Sequence, residues 1–167
     1  FNTKLANVDL GEGLNIIAYN MFYGCSSLES IYIGDNIELI EACAFYNSGL
    51  KEVTIPDSVY SIGSVAFGEC ENLVSAYIGK NVEMVFNSFY NCDNLESVGF
   101  AEGFKGEMMY AFEYCDKLSD VDLPSTVVQI SYAAFRGCES IESVELPESL
   151  EMVDGHAFDD TQWLENQ

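Results

Sequence analysis

Apolar positions recur along this chain with a long, fixed period. A phenylalanine column reads Phe22, Phe45, Phe67, Phe89, Phe112, Phe135 and Phe158, with successive gaps of 23, 22, 22, 23, 23 and 23 residues. A second column stays in phase with it: Leu5, Leu28, Leu50, Leu73, Leu95, Leu118, Ile141 and Leu164. Self-similarity at ~20 to 50 residues signals stacked units rather than one closed globule. Seven units therefore start near residues 5, 28, 50, 73, 95, 118 and 141, which predicts a single repeat domain over 1–167.

Each unit divides into two physical parts. Leu-x-x-Val/Ile-x-Leu/Ile, as in Leu28-Glu-Ser-Ile31-Tyr-Ile33, alternates apolar and polar residues with β-branched types and predicts a short strand. Pro56, Pro124 and Pro147 follow that strand directly, where a missing N–H costs no ladder bond. The remainder, Val59-x-x-Ile62-Gly-x-x-Ala66-Phe67 in the clearest unit, returns the chain on the opposite side, irregularly or through a tight helical turn at Ala-Phe-x-x-Cys. One unit of this length cannot cover its own apolar side, so neighbours must stack, and both ends expose apolar edges. The least regular unit is the fifth, where Gly99, Gly103, Phe104, Gly106 and the Met108-Met109 pair replace the usual spacing. Trp163-Leu164 reads as the opening of an eighth.

Charge narrows the partners. Six Lys/Arg against 28 Asp/Glu give a formal charge of -22, which makes nucleic acid and anionic membrane surfaces poor ligands. Basic partners or weakly held divalent cations suit it, and so does plain solubility of a long exposed surface. Apolar runs fall far short of the ~18 residues of a membrane span, so direct membrane insertion is not expected. The chain opens at Phe1 without Met, which predicts a piece of a longer protein.

The pattern Leu-x-x-Val-x-Ile-Pro-x-x-Val-x-x-Ile-Gly-x-x-Ala-Phe-x-x-Cys-x-x-Leu resembles the leucine-rich repeat, and within it the BspA type. The resemblance covers residues 5–163 and rests on Ala66-Phe67-Gly-Glu-Cys70, Ala111-Phe112-Glu-Tyr-Cys115 and Ala134-Phe135-Arg-Gly-Cys138. Ser88-Phe89-Tyr-Asn-Cys92 and Met21-Phe22-Tyr-Gly-Cys25 vary only the first residue; Ser48 and Thr161 depart in the Cys column. The resemblance implies a solenoid with its parallel sheet on the concave side. It also implies a secreted or cell-surface location, often adhesive roles, and no catalytic residues or cofactor.

Five of the six cysteines (Cys25, Cys70, Cys92, Cys115 and Cys138) share one repeat column. A continuous ladder cannot pair every member as disulfides; small buried thiols donating weakly to loop carbonyls fit better. Cys43 lies outside the column, and His156 is the single histidine. It occupies a variable column with Asn20, Cys43, Val65, Asn87, Tyr110 and Ala133 that reads as outward-facing. One His without a fixed Ser or Cys partner offers no triad, there is no Cys-x-x-Cys zinc pair, and no Gly-rich phosphate loop follows a strand. Calcium is the ion that the Asp120, Asp122, Glu142, Glu145 and Glu148 carboxylates suit best, although no calcium-loop motif is present and solvated side chains serve as well.

The candidate ligand-binding residues are the outward strand positions: Asp9, Tyr32, Thr54, Tyr77, Asp122 and Glu145, with Gly99 completing the column. Tyr buries a large ring at little rotamer cost and anchors interfaces, though β-propensity alone also places Tyr on strands. The functional expectation is a non-enzymatic module recognising a protein or glycan. A structural spacer is the alternative.

Overall fold

The computed structural model describes residues 4–166. In chain order the elements are β1 (Ile16–Ile17), β2 (Leu39–Ile40), β3 (Glu52–Ile55), β4 (Ser61–Ile62), β5 (Ser75–Ile78), β6 (Ser97–Phe100), β7 (Asp120–Asp122), β8 (Gln129–Ile130), β9 (Met152–Val153) and the helical turn α1 (Gln162–Glu165). All strand pairs are parallel, and each strand pairs only with strands of adjacent units. The chain is a parallel β-solenoid.

The predicted strand segment forms the four-stranded sheet β3-β5-β6-β7. Val53, Ala76, Val98 and Val121 are in register on its inner face, and Thr54, Tyr77, Gly99 and Asp122 on its outer face. Burial alternates with the pleat in β3, Val53 and Ile55 inward, Glu52 and Thr54 outward, as a half-buried strand requires. The equivalent segments at Val8–Leu10, Ile31–Ile33 and Val144–Leu146 carry no ladder.

A second run of strands, not legible in the sequence, closes the other side. β1, β2 and β4 form one short parallel sheet and β8-β9 another, with single bridges at Ile62–Val85 and Met84–Glu107 between them. Their inward residues Ile17, Ile40, Ile62 and Ile130 are buried.

The Ala-Phe-x-x-Cys segment is a chain of turns, so the irregular reading holds and the helical one does not; α1 is the one helix among the described residues. Two left-handed backbone positions bracket each Phe from Phe22 to Phe135, and Phe158 keeps the second of them. Two residues before it stand Asn20, Cys43, Val65, Asn87, Tyr110 and Ala133, with φ from 47° to 57°. Two residues after it stand Gly24, Asn47, Glu69, Asn91, Tyr114, Gly137 and Asp160, with φ from 51° to 74°. This geometry turns alternate N–H groups toward the next unit. Each Phe N–H from Phe22 to Phe135 donates to the carbonyl of the Ala or Ser preceding the next Phe, at 2.7 to 3.0 Å. Gly24, Asn47, Glu69, Asn91, Tyr114 and Gly137 donate likewise, at 2.8 to 2.9 Å.

These bonds force left-handed backbone on residues that resist it, at roughly 1–2 kcal/mol each for non-glycine types. Val65 is the extreme case, because β-branched residues are the poorest fit to positive φ. The position also corrects an expectation in part: His156 is exposed as expected, but Asn20, Cys43, Val65, Asn87 and Tyr110 are half-buried and Ala133 is fully buried. Val65→Asn should raise stability by about 1 kcal/mol, since Asn visits this region readily. In a chain of this length that is a melting shift of roughly 2–4 °C. The same change at Val74, exposed on the sheet side, should instead lose up to about 0.5 kcal/mol. Equal losses from both variants in urea titrations would contradict the strain.

Inside, the seven Phe rings form one continuous stack. Successive centroids lie 5.0 to 5.5 Å apart with interplanar angles of 7° to 15°. The disturbed fifth unit keeps this core, because Phe104 and Met108 are both fully buried and Phe104 packs 4.7 Å from Phe100. Gly49 makes the shortened second-to-third link feasible: a Cβ there would sit 2.2 Å from the Ser26 carbonyl oxygen.

The seal weakens at the ends. Leu5, Val8, Leu10 and Leu14 are only partly buried, as are Val144 and Leu150, while Met152 and Val153 are exposed. At Trp163-Leu164, where the pattern opens a further unit, the Trp163 N–H donates to the Ile141 carbonyl at 2.7 Å. Thr161 caps α1 by accepting the Leu164 N–H at 3.2 Å, Trp163 lies 4.7 Å from the Phe158 ring, and Leu164 stays exposed.

Candidate binding face

The outward column runs Asp9, Tyr32, Thr54, Tyr77, Gly99, Asp122 and Glu145, of which Thr54, Tyr77, Gly99 and Asp122 lie on the sheet, and every member but the half-buried Gly99 is exposed. The strands and the stacked core behind them fix the backbone under this face. The two tyrosines differ in what they do. Tyr77 is 45% exposed, and its ring leans over the neighbouring Gly99, where a Cβ would meet Tyr77 Cδ2 at 3.2 Å. It therefore covers strand backbone that glycine leaves bare. Tyr32 is 79% exposed.

Two shallow hollows flank Tyr32. One, about 580 Å³, is lined by Ser30, Asp35, Glu52, Thr54 and Asp57 with Tyr32 itself. The other, about 450 Å³, is lined by Asp9, Glu12, Gly34 and Asn36, again with Tyr32. The Asn36 amide donates to the carbonyls of Gly11 and Leu14, tying the first two units together. Farther along, Asp120, Asp122, Ser143 and Glu145 share a third depression. Sequence reasoning found the outward column but not the hollows, whose walls include loop residues Glu12, Asp35 and Asp57 beyond the strand pattern. Asp and Gly just past each strand were the available signal.

The face is acidic, and its lysines are engaged. Lys51 pairs with Glu29 at 2.6 Å and Lys80 with Asp57 at 2.9 Å. Hydrogen bonding from Lys80 holds the Asp57 carboxyl below the usual carboxylate range. On the opposite flank Asp116 is held above its ordinary value by burial, Asp93 and Glu139. Among the described residues no three His, Cys, Asp or Glu side chains gather in a group that could hold a metal ion.

The cysteine column is built as an inter-unit hydrogen-bond ladder of free thiols. Cys70, Cys92, Cys115 and Cys138 each donate to the Phe carbonyl of the preceding unit, at 3.0 to 3.2 Å. Where Ser48 replaces Cys, its hydroxyl lies 3.4 Å from the Cys70 sulfur. Cys25 is buried as well, while Cys43 is only half-buried. Burial pushes the Cys70 and Cys138 thiols up to about 12 and raises Cys92 and Cys115 as well. Such thiols are poor nucleophiles, since the thiolate is the reactive form. His156 is exposed, lies 2.8 Å from the Asp159 carboxylate through Nδ1, and leans on the Tyr132 ring at 5.3 Å.

The model of the BspA type leucine rich repeat region matches residues 1–106 and 85–166, in six copies. A leucine-rich repeat protein from Eubacterium ventriosum ATCC 27560 is similar in structure at a TM-score of 0.85 and 26% identity, over 92% of this chain and 42% of that one. The leucine-rich repeat protein of T. pallidum is similar at a TM-score of 0.69 and 27% identity, over 78% of this chain and 62% of its own. The chain thus spans less than two thirds of either protein. No curated protein matches it. Among the described residues no helix is long and apolar enough to cross a membrane.

Proposed function

Because the chain belongs to the BspA-type leucine-rich repeat family, a family of non-enzymatic repeat proteins, we propose that it is a recognition module of a cell-surface or secreted protein. Its outward face takes a protein or glycan ligand, in adhesive contact with a host component. The observation that carries the reading is Tyr32, an aromatic ring 79% exposed between two hollows. An exposed tyrosine whose backbone is held by the buried Ile33 beside it binds with little ordering cost.

The candidate set is Asp9, Tyr32, Thr54, Tyr77, Asp122 and Glu145, of which Tyr32 is the most exposed aromatic residue. Tyr77→Ala also uncovers Gly99, so loss of binding in that variant mixes recognition with stability. Tyr32→Ala is the cleaner probe. It should leave stability within about 0.5 kcal/mol of wild type and weaken capture of extracellular proteins or glycans, read on a protein panel and a glycan array. A spacer that merely holds another domain outward would show unchanged binding in Tyr32→Ala, and that result refutes the recognition reading.

A further inference from the structure

The two hollows beside Tyr32 have a common chemistry that names a ligand class. Asp9 and Glu12 line one; Asp35 and Glu52 line the other, together with Asp57, which Lys80 already pairs. The Tyr32 ring forms a wall of both. An exposed aromatic face ringed by carboxylates attracts cationic side chains twice, through the ring quadrupole and through charge. A net charge of -22 adds long-range attraction for a basic partner and repulsion for a second copy of the chain.

Resting on the recognition reading above, we propose that this face binds an extended, Lys/Arg-rich segment of a partner protein. The segment lies along the stacking direction with one basic side chain in each hollow. Residues i and i+2 of an extended chain point the same way and lie ~7 Å apart. Neighbouring units stack at ~4.8 Å, so such a pair can straddle the Tyr32 ring. Arginine suits the site better than lysine, because its planar guanidinium stacks on the ring while forking to carboxylates. Neutral glycans gain nothing from these carboxylates beyond ordinary hydrogen bonds.

The test is fluorescence anisotropy with a labelled ten-residue peptide of alternating Arg and Ser, and its citrulline counterpart as the uncharged probe. Saturable binding of the Arg peptide is expected, at least about tenfold tighter than the citrulline peptide and weakening as salt rises. Tyr32→Ala and Glu52→Gln should each weaken it about three- to tenfold. Glu139→Gln with Glu165→Gln, on the opposite flank, should change it less than twofold, since distant exposed charges are screened. Equal weakening by the remote pair would reduce the effect to bulk charge and overturn the proposal. Absence of saturable peptide binding would overturn it too. If Tyr32→Ala nevertheless abolishes capture of a neutral glycan, the recognition reading stands and only the basic-segment assignment falls.

Discussion

Phe89→Ala should cost about 3–5 kcal/mol, the range for removing a fully buried aromatic ring. Phe89 stands in the middle of the stack, 5.0 Å from Phe67 and 5.2 Å from Phe112, and is fully buried. Truncation removes ring contacts with both neighbours, each pair contributing about 0.5–1.5 kcal/mol beyond its buried area. Because units contact only adjacent units, the cavity breaks the core into two halves that stabilise each other less. Domains of ordinary stability hold about 5–15 kcal/mol in total, so this change takes a large share. Phe22→Ala removes a ring with one stacked neighbour at 5.1 Å and should cost about 0.5–1.5 kcal/mol less. Urea titration of both variants checks the difference. Equal, small losses would mean that the stack is not the spine of the fold.

A second large effect should appear in alkali. Cys70, Cys92, Cys115 and Cys138 are buried, and desolvation holds all four thiols above the ordinary value of 9.0. The folded chain keeps these protons while the unfolded chain releases them. The stabilisation is therefore complete below pH 9 and is lost as pH rises toward the folded values, about 12 for Cys70 and Cys138. Each thiol contributes a slope of ~1.4 kcal/mol per pH unit, so four acting together approach ~5 kcal/mol per unit. The expected outcome is a steep loss of stability as pH rises above about 9. Replacing Cys70 and Cys138 by Ala should roughly halve that slope. A flat profile through this window would show that the thiols open to water in the native state.

The period, the Phe stack and the sheet strands were legible because each requires one residue type at one spacing. Phe45, Phe67 and Phe89 stack where the column places them, and Val53, Ala76 and Val98 pair in the expected register. The second strand ladder was not legible, since β1, β2 and β4 are two residues long and only one residue of each faces inward. The left-handed positions were half legible. After each Phe, Gly24, Asn47, Asn91, Gly137 and Asp160 are residue types that accept positive φ. Two residues before the Phe, Asn20 and Asn87 carry the same mark, but Cys43, Val65, Tyr110 and Ala133 do not. There the inter-unit hydrogen bonds override local preference. Of the candidate face, the sequence showed which residues point outward. It could not show that Tyr77 is spent on covering Gly99 while Tyr32 stands clear, because that depends on rotamers across neighbouring strands.

Native-state amide hydrogen exchange, read residue by residue, tests the stacked-unit account most directly. The account predicts slowest exchange at the Phe45, Phe67, Phe89 and Phe112 amides, each bonded to the next unit. Protection should step down one repeat at a time toward Phe22 and toward the open edge at Met152 and Val153. A single protection level across all units, or the weakest protection at Phe67 and Phe89, would contradict it.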